Sequence, residues 1–143
     1  MKKKSTRMQP LKRVAESKEH RAATELGMAQ QQLQTQVNRL AELENYRNEY
    51  FSRFQQTGQN GVAVETLQSF RHFLDKLETA VEQQKLAVRS AGELVDQCKR
   101  RWFTSRDNVK IYSNVINRFF DQEHKQEEKH EQKESDDRAQ RSS

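Results

Sequence analysis

The sequence is poor in everything that interrupts a helix. It has one proline and four glycines in 143 residues, and strands or loops of any number would need more turn residues than these. It contains a single cysteine, Cys98, which excludes a disulfide framework within the chain and a cysteine-based metal cluster. No stretch approaches the ~18 consecutive apolar residues of a membrane span. The basic start, Lys2 to Lys4 and Arg7, is not followed by the apolar segment of a secretory signal, so the expected location is the cytoplasm. Apolar residues make up only 32% and charged residues 33%, too little for a sizeable globular core.

Catalytic and metal-binding patterns are missing as well. The histidines, His20, His72, His124 and His130, include no i, i+4 pair that would set two ligands on one helical face. There is no glycine-rich phosphate loop, nucleophile elbow or cysteine cluster. Two helices alone offer no concave pocket where reacting groups converge. The expectation is a non-enzymatic protein with no cofactor and no metal.

What the chain does have is periodicity. Leu67, Phe70, Leu74, Leu77, Val81, Gln84, Val88, Ala91, Val95, Cys98, Trp102, Ser105, Val109, Tyr112, Ile116 and Phe119 recur at alternating spacings of three and four. Such a stripe demands a partner helix along its length. Cys98 falls in it and reads as a small buried hydrophobe. A thinner stripe precedes it: Leu11, Val14 or Ala15, Ala22, Leu26, Ala29, Leu33, Val37, Leu40 and Leu43, with Gln36 among them. After Leu43 the register blurs. Tyr46, Tyr50 and Phe54 step by four and drift around the helix, Arg47 falls where the seam wants an apolar residue, and the aromatics cannot all be buried.

Gly58, Asn60 and Gly61 form the only clear turn. Two long helices joined so briefly lie antiparallel. The predicted fold is all-α, an antiparallel coiled-coil hairpin in one domain. Its boundaries are a flexible basic tail at 1–9, helix one at 10–55 with Pro10 in its first turn, a turn at 56–61, helix two at 62–122, and a disordered charged tail at 123–143.

A reversal centred near Gly58 places Leu40 across from Leu77, Leu26 from Ala91 and Leu11 from about Arg106. If helix one starts at Pro10, then Val109, Tyr112, Ile116 and Phe119 have no intramolecular partner. That predicts docking of this open end into another protein. The alternatives are that residues 1–9 cover the stripe, or that the chain dimerises there.

Charge is uneven. Residues 1–13 carry six Lys or Arg and no acid, and residues 121–143 carry eight acids against five bases. Lys99, Arg100, Arg101 and Arg106 add to the basic end. Acids are interspersed elsewhere, so an acidic protein socket suits this charge better than nucleic acid. The rival reading is a generic coiled-coil scaffold that homodimerises or binds nucleic acid through its basic end.

The turn and its flanks resemble a known family. Tyr46, Arg47, Asn48, Glu49 and Tyr50, the Gly58–Gly61 turn, then Phe73, Leu74, Leu77, Glu78, Ala80, Val81, Glu82 and Gln83 resemble the flagellar export protein family FliJ, as does the opening Pro10, Leu11, Val14, Ala15, Glu16. The resemblance implies a component of flagellar type III protein export, acting in flagellum biogenesis and motility. It is implied to be cytoplasmic and peripherally associated with the inner face of the cell membrane. The implied partners are the hexameric export ATPase, which the end bearing both termini enters and activates, the cytoplasmic domain of the membrane export gate, and export chaperones. Gate-contacting positions carry over as Leu43, Tyr46, Tyr50, Phe73, Leu77 and Ala80. The chain has Gln84 and Arg39 where the family pattern can have His and Gln. For the ATPase contact, the basic Lys12 and Arg13 join Val109, Tyr112, Ile116 and Phe119 as the expected set.

Overall fold

The computed structural model describes residues 3–142. The chain is all-α: α1 runs Lys4–Gln59 and α2 runs Val64–Ser142. The Asn60 amide closes α1 on the carbonyls of Gln56 and Thr57. Gly61 then takes φ 71°, a left-handed conformation that strains any residue with a Cβ. Ala63 immediately precedes α2, its carbonyl accepting from the amides of Thr66 and Leu67. Gly58 is helical, so the reversal lies further along the chain than the sequence predicts. Every cross-helix pairing moves with it: Gln36 meets Gln84, where a turn centred on Gly58 would give it Val81.

The chain forms two compact units where the sequence predicts one domain. In the unit Thr24–Lys99, α1 and α2 pack antiparallel on either side of the turn. Ala29, Val95 and Cys98 form a buried cluster with Leu26 and Leu33 packed against it. Leu74, Leu77, Val81 and Ala91 continue the core, Val81 with no exposed surface at all. Cys98 is buried as expected. The stripe of α2 holds through this unit, and that of α1 holds except at one place: Gln36 occupies the seam and Val37 is exposed. Gln84 Nε2 donates to the Gln36 carbonyl (3.0 Å) and to its Oε1 (2.7 Å). A satisfied polar layer inside an apolar seam disfavours slipped registers, since any slip buries both amides unpaired.

The other unit, Met1–Ala23 with Arg100–Ser143, overturns two expectations. Helix one begins at Lys4, ahead of Pro10, so the basic segment from Lys4 is helical; Lys2 lies outside the described residues. As a result the stripe at Val109, Tyr112, Ile116 and Phe119 is not open. Ile116 is only 3% exposed and the other three are half-buried. Of the three occupants considered for this stripe, the chain's own N-terminal segment is the one seated there. It does so mostly with small and polar residues, Ser5, Lys12, Ala15, Glu19 and Ala22, together with the half-buried Met8, while Leu11 and Val14 lie outside the seam.

The second correction concerns residues 123–142, which are helical where a disordered tail was expected. Beyond Glu123 every described residue is exposed. Helix-favouring Glu, Lys and Gln dominate the segment, and His124–Glu128 and His130–Glu134 pair at i, i+4, each at 3.0 Å. Lys3 Nζ also hydrogen-bonds the Glu127 carboxylate at 2.6 Å, which raises the lysine's pKa and holds the carboxyl below its usual range. Both groups are in solvent, where screening leaves such a pair little weight.

The first turn of α1 is held from across the unit. Ser5 is 1% exposed; its amide donates to Glu123 Oε1 (3.2 Å) and its hydroxyl to Glu123 Oε2 (2.7 Å). Glu123 thus caps a helix start that its own side chains leave open. Glu123→Ala strands two buried donors and is expected to lower stability by about 1–2 kcal/mol. Faster amide exchange confined to the first turns of α1 is the accompanying sign, checked by hydrogen-exchange mass spectrometry.

Candidate protein-interaction surfaces

Each unit carries a surface that its own packing does not consume. In the unit Thr24–Lys99 it is aromatic. Tyr50 and Phe54 remain in the seam and are half-buried, while Tyr46 is rotated out of it and 47% exposed. This is the division that steps of four require: a helix turns 3.6 residues per revolution, so three aromatics spaced by four cannot share one seam. Phe73 is likewise exposed, on α2. It meets Tyr46 edge-to-face at 6.4 Å and 89°, and Tyr50 at 4.7 Å. Tyr50 also stands 6.5 Å from Tyr46 and 5.2 Å from Phe70. The result is an exposed pair of rings, one from each helix, resting on a half-buried third.

Of the six positions expected to contact a partner here, Tyr46 and Phe73 are therefore exposed. Leu43, Tyr50 and Ala80 are half-buried, and Leu77 is core. The same unit has a shallow recess of about 670 Å³ lined by Arg47, Asp75, Glu78, Thr79, Glu82, Gln83 and Leu86. Glu78, Glu82 and Gln83 belong to the segment that carries the family resemblance, whereas the exposed Leu86 has no place in it. Leu86 falls outside the stripe, and that displacement is the signal that could have found it.

In the unit Met1–Ala23 with Arg100–Ser143, the expected contacts divide differently. Arg13 is exposed and Lys12 is half-buried, with its ammonium 3.7 Å from Glu16. Phe119 lies under the Lys4 ammonium at 5.6 Å, and Ile116 is core. Besides Phe103 and Phe120, the exposed large apolar residues of this unit are Leu11 at 48%, Val14, and Ile111 at 58% exposure. With Ala15, Lys18, Ser105, Asn108 and Tyr112 these residues line a recess of about 390 Å³. Of the seam alternatives Val14 or Ala15 it is Ala15 that is buried, Leu11 lies outside the seam, and Ile111 lies off the α2 stripe.

Among the described residues no helix is long and apolar enough to cross a membrane. No solved structure matches the chain. A curated relative, the flagellar FliJ protein of Salmonella typhi, is 28% identical over 134 residues, covering 94% of this chain and 91% of that protein. The family model described as flagellar FliJ protein matches residues 3–143. The match spans both units and both surfaces, and the chain belongs to the FliJ family.

Proposed function

We propose that the chain is a non-enzymatic component of flagellar type III protein export. In this reading the unit bearing both termini enters the hexameric export ATPase and raises its activity. The aromatic surface of the other unit meets the cytoplasmic domain of the membrane export gate, and export chaperones bind the same protein. The observation that carries the reading is the Tyr46–Phe73 ring pair, left exposed at positions the family resemblance assigns to the gate. Two large rings held edge-to-face in water are the residue types that dominate interface energetics. Their mutual support means little ordering entropy is lost on binding.

For the ATPase contact, Lys12, Arg13, Val109, Tyr112, Ile116 and Phe119 remain the proposed region, with its exposed members carrying the first encounter. Arg13 is exposed on the same unit, and Lys18 lines the recess with Leu11, Val14 and Ile111, so a basic side chain adjoins an apolar recess. An acidic, partly apolar pore lining is the complementary surface. The test is ATP hydrolysis by purified flagellar export ATPase with and without the purified chain. Stimulation is expected, and Leu11→Ser with Arg13→Glu should reduce it by about tenfold at subsaturating protein. No stimulation by the unmodified chain would sink the reading.

A further inference from the structure

A third constellation lies at Trp102, Phe103 and Arg106, and neither surface above uses it. Trp102 is half-buried in the seam, and its indole Nε1 donates to Glu19 Oε1 at 3.0 Å, which fixes the ring plane. Phe103, the next residue, faces outward with 44% of its surface exposed, its ring 5.2 Å from the indole. Arg106, one turn further on, lays its guanidinium 5.1 Å from the Trp102 ring and 4.9 Å from the Phe103 ring. Its Nε is buried with no hydrogen-bond partner. The Asp107 carboxylate, 4.0 Å from that nitrogen, is beyond hydrogen-bonding range. Two aromatic rings therefore flank the guanidinium while its Nε is left unsatisfied. Helical spacing places Arg100 and Lys110 on the Phe103 face as well.

We infer that the Phe103–Arg106 face is a docking anchor for an acidic, amphipathic segment of a partner protein. One carboxylate of that segment takes the guanidinium fork, a planar match that an ammonium cannot make. An apolar side chain beside it covers Phe103, giving the aromatic-plus-arginine core typical of a binding hot spot. A continuous polyanion fits less well. Asp107 and Glu19 stand within the constellation and repel a ligand that is negative all along its length, whereas a peptide offers one or two carboxylates at chosen positions.

The probe is a labelled amphipathic helical peptide with glutamates flanking a Leu/Phe stripe, titrated against the full chain by fluorescence anisotropy. Its glutamine counterpart, oligothymidylate and phosphatidylglycerol vesicles are run in parallel. Trp102, the single tryptophan, reports occupancy of the site directly. Saturable binding of the glutamate peptide with a change in Trp102 emission is expected. Affinity should fall by about tenfold or more for the glutamine peptide, and likewise for Phe103→Ser, Arg106→Gln and Arg106→Lys with circular dichroism unchanged. The lysine variant separates the planar fork from charge alone, and Phe103→Ser keeps the test decisive if an Arg106 variant loses helicity. Equal binding of both peptides, no binding, retention by Arg106→Lys, or a preference for oligothymidylate or vesicles would each overturn the inference. Gate binding by the same variants should stay at the level of the unmodified chain.

Discussion

Ile116→Ala is expected to lower the unfolding free energy by about 2–5 kcal/mol, whereas Ile111→Ala should change it by no more than about 0.5 kcal/mol. The two isoleucines are close in sequence on one helix and differ in burial, 3% exposure against 58%. Removing a buried Ile side chain forfeits its transfer free energy and leaves a cavity that its packed neighbours fill only in part. Ser5 and Ala15 cannot extend, Lys12 would have to bring its ammonium into an apolar gap, and the half-buried Met8 is the one flexible apolar side chain on that face. Ile111 loses only surface that water already reaches. Denaturant unfolding followed by circular dichroism distinguishes the cases. Equal, small effects at both positions would mean that α1 does not cover the α2 stripe in solution. The comparison also guards the functional test, because loss of partner binding in an Ile116 variant would report a damaged unit as readily as a lost contact.

The part of α1 that covers Ile116 was the least legible piece of the fold, for a physical reason. Hydrophobic periodicity detects the helix that supplies volume to a seam; it is blind to a partner that needs only to be small. On α2 the large residues recur without a break, so the whole stripe from Leu67 to Phe119 could be read directly. On α1 the terminal part of the seam is Ser5, Met8, Lys12, Ala15, Glu19 and Ala22, with Met8 its one large apolar side chain, and the large residues Leu11 and Val14 lie outside it, drawing the apparent stripe off line. Pro10 added to the misreading, because proline is favoured in a first helical turn. Within α1 it forfeits the hydrogen bond to the Thr6 carbonyl. Thr6 is exposed, so water can serve that carbonyl, and Glu123 secures the turn before it.

The turn shows a similar limit. Gly58, Asn60 and Gly61 are all capable of a left-handed backbone, and only the three-dimensional arrangement selects Gly61. Moving the reversal changes which side chains meet without changing which ones face inward. That is why the seam residues of α2 were legible and their partners were not. In the sequence Gln36 and Gln84 are polar residues of two separate stripes. They are one hydrogen-bonded layer, visible only once the pairing is known. The aromatic surface was more accessible, because the mismatch between steps of four and a 3.6-residue turn is a property of α1 alone.

That surface supports the second large effect. Tyr46→Ala combined with Phe73→Ala is expected to weaken binding to the cytoplasmic domain of the export gate by at least about tenfold, while helicity and unfolding midpoint stay close to those of the unmodified chain. Both rings are substantially exposed, so truncation opens no core cavity, and an aromatic hot spot is typically worth 1–2 kcal/mol or more, with about 1.4 kcal/mol per factor of ten. The pair must be changed together, since each ring supports the other edge-to-face at 6.4 Å and one left alone can settle onto Tyr50. Tyr50 and Leu77 are poorer tests. Tyr50 packs on Phe70 and Phe73 from within the seam, and Leu77 is core, so their replacement removes structure and surface at once. Titration calorimetry against the purified gate domain, with far-ultraviolet circular dichroism on the same samples, gives both readouts. Unchanged affinity in the double variant would remove the ring pair from the gate contact. Lost affinity accompanied by a lowered unfolding midpoint would make the rings part of the packing, and the exposed edge of Tyr46 would then need another explanation.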